Sequence, residues 1–269
     1  MIRVGVPISN ATLALAEADR LDVDYIVYYG DAGLEGMQKF TQFKPLFLHD
    51  LPGSFWLNYE NPFRESFMAE AHAMLDLSKS PWLSTGIGAS AEPQAHRDGP
   101  YREADDEDLQ SRETVIANIL KHGRRLKAWA GVPLLLENYN YHSTNAYEYI
   151  CEPELFTQLL NEIDCGMLLD LAHARISAHN MGWPNAEHYL EALPLHKVRE
   201  VHVTRPGWQG DQQVDLHQPL LPEDLPLLGW LLDRAPVEAV TVEIEHTIDE
   251  ATLFDQIALM HQFLKDRHG

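Results

Sequence analysis

Short apolar runs alternate with amphipathic stretches along the whole chain. The runs are short enough for buried strands, and the stretches between them carry apolar residues at helical spacing. The strand candidates are Ile2–Val6, Tyr25–Tyr29, Pro45–His49, Trp82–Ile87, Leu134–Glu137, Gly166–Asp170, Val198–Val203 and Val237–Glu245. The helix candidates are Asn10–Ala18, Leu34–Phe40, Pro62–Leu77, Leu109–Trp129, a segment starting near Glu152, Ala186–Leu193, Glu223–Arg234 and Glu250–Lys265.

Eight strand–helix repeats in a chain of 269 residues predict an α/β fold, a (β/α)8 TIM barrel that forms one domain over residues 1–269. The rival fold, a doubly wound sheet, needs a Gly-rich phosphate turn, and Gly86-Ile-Gly88 is only a weak match to one. Segments 88–108 and 204–218 are longer than ordinary loops, and each follows a strand candidate. In a TIM barrel such loops lie at the catalytic face.

Composition narrows the range of functions. The chain has 41 acidic and 20 basic residues, a formal net charge of −21, which argues against binding to nucleic acid. No window approaches the ~18 apolar residues of a membrane span. Cys151 and Cys165 have no zinc-ribbon or CxxC spacing, so we expect reduced thiols in a cytoplasmic protein.

Ionisable side chains end or interrupt several of the strand candidates. Such groups are costly to bury unless they are paired or bind a cation. Taken singly, each could be a hydrogen-bonded core residue or a member of a buried ion pair, but at one barrel mouth they would form a metal site. They are His49, Glu137, Asp170, His202, Glu243 and Glu245.

Residue spacing adds further candidates. Asp215 and His217 are two residues apart, so an extended backbone points both side chains to one side. In Asp170-x-x-His173 a carboxylate ends the strand, and the imidazole is expected one turn into the following loop. Glu243 and Glu245 share a face, so one could bind metal while the other, Glu245, orients a ligand or acts as a base.

The donor types limit the metal. Mixed imidazole and carboxylate ligands suit iron, manganese or zinc, and the lack of cysteine ligands argues against a closed structural zinc. Asn138 is a candidate hydrogen-bond donor to a ligand or simply a cap, and the role of His142 stays open. The other histidines are expected to be surface or structural residues. A nucleophilic triad is disfavoured because the chain lacks a GxSxG elbow.

The order of these candidates resembles a known ligand series. From His49 through Glu137, Asp170-x-x-His173, His202 and Asp215-x-His217 to Glu243, it is similar to that of the xylose isomerase-like TIM-barrel superfamily, notably the endonuclease IV family. The segments 165–182, 189–194, 198–202 and 214–217 resemble more closely the multinuclear non-haem iron-dependent oxidative enzymes of the methanobactin-biosynthesis type. The resemblance is specific mainly over residues 134–246.

This resemblance implies a TIM barrel whose eight matching residues bind two or three divalent metal ions, with iron expected first and zinc or manganese as alternatives. It also implies oxidation of a cysteine-containing peptide by dioxygen, with a partner protein that could present the peptide. The chain departs from the pattern at strand four. Both branches have a histidine there, whereas this stretch reads Trp82-Leu-Ser-Thr-Gly-Ile-Gly88, and His96 is a candidate replacement.

We therefore expect Asp170, His202 and Glu243, with Glu137, to hold one ion. His173, Asp215 and His217 would hold a second, and an ion shared by His49 and Glu137 should be the weakest. Oxidative modification of a peptide or small substrate is the leading functional hypothesis. A zinc- or manganese-dependent isomerase or hydrolase of a sugar-like or phosphorylated molecule is the first alternative, and an inactive scaffold barrel is the second. No nucleic acid or membrane partner is expected.

Overall fold

The computed structural model describes residues 1–51, 56–63, 65–91 and 108–268. Its strands are β1 Arg3–Pro7, β2 Tyr25–Tyr29, β3 Leu46–His49, β4 Leu83–Gly86, β5 Leu134–Glu137, β6 Gly166–Asp170, β7 Val198–Val203, β8 Arg205–Gln209, β9 Gln212–Gln218 and β10 Ala239–Val242. Its α-helices are α1 Asn10–Glu17, α2 Gly33–Phe40, α3 Glu65–Ser78, α4 Arg112–Ala130, α5 Pro153–Ile163, α6 Leu171–Asn180, α7 Ala186–Ala192, α8 Leu225–Leu232 and α9 Glu250–His268. Short 3-10 helices cover Gly30–Ala32, Asn145–Tyr147, Leu195–Lys197 and Pro222–Asp224.

Eight parallel strands close into a barrel in the order β1-β10-β7-β6-β5-β4-β3-β2. The barrel closes because β1 pairs with β2 on one side and with β10 on the other. Buried residues dominate every barrel strand, as expected for parallel strands that are covered on both faces. The predicted TIM barrel is confirmed. None of the helices in the described ranges is long and apolar enough to cross a membrane.

Large side chains fill the barrel interior towards the N-terminal ends of its strands. The ring of Tyr25 stacks on Phe47 at a centroid distance of 3.9 Å, and Trp82 meets Phe47 edge-on at 5.0 Å. The guanidinium of Arg3 lies over Phe47 and Trp82. This packing closes the floor of the barrel, so chemistry is confined to the opposite mouth.

Helix α4 shows how local sequence sets an element's limits. The side chain of Ser111 accepts a hydrogen bond from the N–H of Thr114, which caps the helix, and Gly131 ends it with a left-handed φ of 67°. Its residues Val115, Ile119 and Leu126 are buried, as their helical spacing predicts. The helix therefore begins three residues later than the predicted Leu109 because the cap lies at Ser111.

Two segments that the sequence predicts as loops are regular structure. His173 lies in the first turn of α6, where Asp170 is the N-cap and accepts the N–H of His173 at 2.7 Å. Helix α6 is buried on most sides, so its sequence has no clear polar face. Segment 204–218 is the antiparallel hairpin β8–β9, joined at Gly210 with a φ of 65°. The two-residue turn Gly210-Asp211 is a hairpin signal.

The last barrel strand is shorter than predicted and ends at Val242. Beyond it the chain still follows its neighbours: the N–H of Glu243 donates to the carbonyl of Val203 at 3.0 Å. The N–H of Glu245 donates to the carbonyl of His217 at 2.9 Å. Glu243 is buried and Glu245 is exposed, so the two carboxylates occupy different environments.

Candidate metal centre

The structure brings all eight predicted metal ligands to the C-terminal mouth of the barrel. Side-chain contacts of 4.0 Å or less connect them into one network. Barrel strands supply four of them, helix α6 supplies one, Glu243 directly follows β10, and the hairpin supplies two. Along the network they are His49, Glu137, His173, Asp170, Asp215, His217, Glu243 and His202.

Two compact groups of three stand out among the described residues. In each, the ligand atoms lie within 4.8 Å of one another, and Asp170 belongs to both. One group adds His202 and Glu243, and the other adds Glu137 and His173. Asp170 is fully buried, and its Oδ2 has no hydrogen-bond partner among the described residues. A buried carboxylate oxygen without a donor fits a cation at this position.

His202 is held between two carboxylates. Its Nδ1 lies 2.8 Å from Glu243 Oε2, and its Nε2 lies 3.5 Å from Glu200 Oε1. Glu200 is anchored below by the indole N–H of Trp82 at 2.7 Å and the hydroxyl of Thr241 at 3.0 Å. The contact with Glu200 is not a hydrogen bond, so Nε2 has no hydrogen-bond partner among the described residues, whereas Nδ1 shares a hydrogen bond with Glu243. A metal bound beside Glu243 would take the place of the proton in that bond.

Glu243 is fixed from a second side by Tyr29, whose hydroxyl donates to Oε1. Burial alone would raise the pKa of Glu243, but the charge and hydrogen bond of His202 outweigh it and hold the pKa well below its usual range. Burial and the Glu243 charge raise the pKa of Tyr29, so the phenol stays protonated as a donor. Glu243 is thus an ionised carboxylate, as a metal ligand must be.

Glu137 has a different environment. Its carboxylate accepts no hydrogen bond from the described residues, and its nearest partners are His49 Nε2 at 3.5 Å and His173 Nδ1 at 3.6 Å. Burial raises its pKa to about 7, although the neighbouring histidines oppose the shift. Burial also raises the pKa of Asp170. Glu137 has no hydrogen-bond donor among the described residues, and Asp170 has a donor only at Oδ1, so a cation would stabilise the charge of both carboxylates.

His173 presents its Nε2 rather than its Nδ1 to a ligand. Its Nδ1 donates to the carbonyl of Asn138 at 2.9 Å, and its Nε2 lies 3.2 Å from Asp215 Oδ2. Burial lowers the pKa of His173, but Asp170 and Asp215 outweigh burial and raise it well above its usual value. The Nε2 atom of His173 therefore faces Asp215 on the hairpin. The compact group described above instead places His173 with Glu137 and Asp170.

Asn138 acts on the backbone of Asp170. Its amide donates to the carbonyl of Asp170 at 3.0 Å, and its side-chain oxygen accepts the N–H of Asp170 at 2.8 Å. These two bonds lock the ends of β5 and β6 together, while the Asn138 carbonyl holds His173. The geometry gives Asn138 a positioning role.

Strand β9 carries Asp215 and His217 over the mouth. His217 Nδ1 lies 3.4 Å from Asp215 Oδ1, and its Nε2 lies 3.8 Å from Glu243 Oε2. His217 has a left-handed φ of 46°, a conformation that costs energy in a non-glycine residue and is concentrated at functional sites. Its side chain is 34% exposed, so it is the most accessible histidine of the network for a substrate or solvent.

Two cavities open onto this network. A cavity of about 350 Å³ is lined by His49, Glu137 and His173 together with Asp50 and His142. A larger cleft of about 900 Å³ lies beside it. The residues that line both are Asp215, His217 and Glu243. The larger cleft has room for a substrate whose reacting end reaches the ligand network.

The remaining candidates lie at or near the mouth. Glu245 lines the larger cleft and is exposed. Burial lowers the pKa of His142 to about 4, so this cavity-lining imidazole is neutral. Of the aromatic residues near the mouth, Tyr139 lines the smaller cavity, whereas Trp208 is 58% exposed on the hairpin. His96 lies outside the described residues.

Three residues of this site are not among those that the sequence pattern indicates. Tyr29 ends β2 and belongs, in the sequence, to an apolar run. Glu200 precedes His202 by two residues, so strand alternation alone places both on the barrel interior. Asp50 directly follows His49, and its carboxylate lies 3.7 Å from His49 Nε2. Tyr29 and Asp50 lie at the C-terminal ends of β2 and β3, a position that marks the mouth of the barrel, whereas Glu200 lies in the middle of β7.

A family model described as RiPP precursor modification enzyme MbnB/TglH/ChrH matches residues 23–265. The chain belongs to this family. Among the relatives of this chain, a UPF0276 protein of Anaeromyxobacter sp. (strain Fw109-5) is 25% identical over 206 residues, 76% of this chain and 67% of that protein. A UPF0276 protein of Paraburkholderia phytofirmans is 33% identical over 104 residues, 39% of this chain and 34% of that protein. This chain thus spans about two thirds of the first relative's length and about a third of the second's.

Solved structures share the fold of this chain. A D-tagatose 3-epimerase-like protein superposes with a TM-score of 0.65 at 11% identity, over 98% of this chain and 97% of its own. Endonuclease IV from Thermus thermophilus superposes with a TM-score of 0.61 at 18% identity, over 98% of this chain and 99% of its own. Both likenesses show the TIM-barrel fold. Family membership and the ligand network together support a metal-dependent enzyme.

The metal affinity of this chain is expected to fall as the pH drops below about 7. Glu137, with a pKa near 7, takes up a proton that the metal must displace, so each pH unit below costs about tenfold in apparent affinity per proton. Asp170 and Asp215 raise the pKa of His173 well above its usual value, so this ligand also carries a proton that the metal must displace, which steepens the loss. Competition with a chromophoric chelator measures the slope. Glu137→Gln should flatten it, and a pH-independent affinity in the unmodified chain would contradict the assignment.

Proposed function

We propose that the chain is a non-haem iron enzyme that oxidatively modifies a peptide. The observation that carries the proposal is the network of four carboxylates and four imidazoles at the barrel mouth. At its centre lies the buried Oδ2 of Asp170, which has no hydrogen-bond partner among the described residues. The family description, a precursor modification enzyme, supports a peptide as the substrate class.

The side chains present fit metal ions of this class. Asp170, His202 and Glu243 would hold one ion, and His173, Asp215 and His217 a second. Oxygen and nitrogen donors without thiolate suit iron and also manganese and zinc. Cys151 and Cys165 are buried, and burial raises the pKa values of both thiols, so they stay protonated away from the network. When bound, iron would supply one-electron redox chemistry and activation of dioxygen.

The chain's own residues bind and orient the reactants. The cleft of about 900 Å³ would accept a short peptide segment along the walls formed by Ile8, Phe40 and Leu216. Its inner end meets Glu243 and His217, where the reacting side chain would be placed. Burial of Glu137 and Asp170 excludes bulk water from the inner layer of the network. The exposed carboxylate of Glu245 lies in the cleft, where it could accept a proton from the substrate.

The function is tested by reconstituting the metal-free chain with Fe(II) under anaerobic conditions, and in parallel with Mn(II) or Zn(II). Each form is then exposed to air with a library of cysteine-containing synthetic peptides, and mass spectrometry records the products. We expect a mass change that needs both iron and dioxygen. The matched control is a library with serine in place of cysteine, which should stay unmodified.

Other outcomes would favour the alternative functions. Oxygen-independent turnover of a panel of ketoses or sugar phosphates by the manganese or zinc form would indicate an isomerase or hydrolase. A folded chain that retains no metal after gel filtration would indicate a scaffold barrel. A partner protein that presents the peptide is part of the proposal. Peptide turnover should therefore be measured with the purified chain and with cell extract of the producing organism added.

A further inference from the structure

The hairpin β8–β9 carries a large apolar side chain, Leu216, that is not covered by the protein core. This side chain is 45% exposed. Six large apolar residues are exposed in the described part of the chain, and Leu216 is the one among them that lines the cleft of about 900 Å³. Single exposed apolar residues are common on protein surfaces, so the position of Leu216, more than its exposure, relates it to the site.

The backbone of the hairpin is adapted to this position of Leu216. A Cβ at Gly207 would lie 2.2 Å from Leu216 Cδ1, so the leucine packs over a backbone that only glycine leaves open. In a regular strand, Leu216 and His217 would point to opposite faces. His217 instead has a left-handed φ of 46°, and both residues line the same cleft. The hairpin therefore places an apolar contact directly beside a candidate metal ligand.

Other elements add apolar surface to the same cleft. Ile8 follows β1, Leu13 lies in α1 and Phe40 ends α2, and all three line the cleft. Ile8 and Leu13 pack against the main core and keep part of their surface exposed. A large apolar side chain bound among these residues and Leu216 would remove apolar surface of both partners from water, which favours binding.

The charges around the cleft restrict the kind of peptide that fits. Its exposed lining residues include two acids, Asp31 and Glu245, and one lysine, Lys39. The whole chain has a formal net charge of −21. Because like charges repel, an acidic peptide is disfavoured, and a neutral or basic peptide complements the cleft.

We propose that the cleft selects neutral or basic peptides with a large apolar residue next to the reacting residue, and that Leu216 determines this specificity. The inference rests on the proposed function and adds to it the residue by which the peptide is recognised. Leu216 and His217 are consecutive, and consecutive residues of a bound peptide are also about 3.8 Å apart. A reacting side chain at His217 and Glu243 therefore places a neighbouring side chain of the peptide at Leu216.

The test measures peptide binding and does not depend on turnover. The chain is loaded with Fe(II) without oxygen, and fluorescence anisotropy records its affinity for short labelled peptides that carry one cysteine among serine and glycine residues. Leucine, phenylalanine, alanine or glutamate is placed on one side of the cysteine at a time. We expect leucine or phenylalanine on one of the two sides to strengthen binding about 10- to 100-fold over alanine, and glutamate to give the weakest binding.

Two leucine variants make the result specific to the cleft. Leu216→Asn keeps a side chain of similar size and removes the apolar surface, so it should largely lose the preference for leucine over alanine. Its iron content, measured by elemental mass spectrometry, should equal that of the unmodified chain because Leu216 contributes no ligand. The matched control is Leu77→Asn, a leucine of α3 that is 38% exposed and lies outside the cleft, and it should keep the preference.

The outcomes separate this inference from the proposed function. Equal binding of the leucine and alanine peptides, or an unchanged preference in Leu216→Asn, would overturn the inference, and an iron- and dioxygen-dependent mass change of a peptide would still support the function. The expected preference without any mass change in air would support the inference and overturn the oxidation. A dimer that Leu216→Asn converts to a monomer in gel filtration, with peptide binding unchanged, would assign Leu216 to a contact between two copies and also overturn the inference.

Discussion

Asp170→Asn is expected to abolish binding of the ion shared with His202 and Glu243 and to lower turnover at least about 100-fold. The substitution keeps the shape of the side chain, and asparagine remains a good helix N-cap for α6. It removes the negative charge at the point where the two compact ligand groups meet. Elemental analysis after gel filtration measures the loss as at least one ion per chain.

The same variant should change stability in opposite directions with and without metal. Burial raises the pKa of Asp170, so the ionised carboxylate opposes folding of the metal-free chain, and neutral asparagine should hold or raise its melting temperature. With metal, the unmodified chain gains stability from binding and the variant gains less. Asp224→Asn, which breaks the buried contact with Arg175 at 2.7 Å, should lower stability in both states and leave metal content unchanged. Equal metal gain by Asp170→Asn and the unmodified chain would refute the assignment.

The barrel was predictable because its strands are apolar on both faces. Runs such as Tyr25–Tyr29 and Gly166–Asp170 have the same limits in the structure as in the sequence pattern. Helix α6 was missed because it is buried on most sides, and a buried helix lacks the polar face that periodicity detects. The hairpin β8–β9 was missed because its two strands stand outside the barrel and carry mixed polar residues. The Gly210-Asp211 turn was the only local signal for it.

The residues of the site could be predicted from the sequence, but which of them contact one another could not. A carboxylate or imidazole at the end of an apolar strand identifies a position at the mouth, and this rule found His49, Glu137, Asp170 and His202. Which residues can bind the same ion depends on which nitrogen of each histidine ring is already hydrogen-bonded to the protein. Only the contact between His173 Nδ1 and the Asn138 carbonyl shows that Nε2 is the free atom. Asp50 was not predicted because its carboxylate accepts hydrogen bonds from Thr85 and Gly86 at the end of the neighbouring strand β4. The order of the strands in the sequence does not show such a contact.

The acidic pair beyond β10 separates metal binding from proton transfer. Glu243→Gln is expected to lower metal occupancy sharply, whereas Glu245→Gln should leave it unchanged. Glu243 is buried and ionised, lies 2.8 Å from His202 and accepts a hydrogen bond from Tyr29. Replacing it with glutamine therefore removes a negatively charged metal ligand from the network. Glu245 is exposed in the cleft, and within the described part of the chain its hydrogen bond to the network is the one from its backbone N–H to the His217 carbonyl.

The two variants should also differ in whether the loss of turnover follows the loss of iron. Glu245→Gln should keep the iron content of the unmodified chain while turnover of the peptide falls about 10²- to 10⁴-fold, the range for loss of a general base. Glu243→Gln should lose turnover in proportion to iron, and added Fe(II) should restore part of it. Tyr29→Phe is the matched control, because it removes a hydrogen bond to Glu243 and no ligand, so its iron affinity should fall less than that of Glu243→Gln. Equal iron loss from Glu243→Gln and Glu245→Gln would show that both carboxylates bind metal, and full turnover in Glu245→Gln would exclude Glu245 as the base.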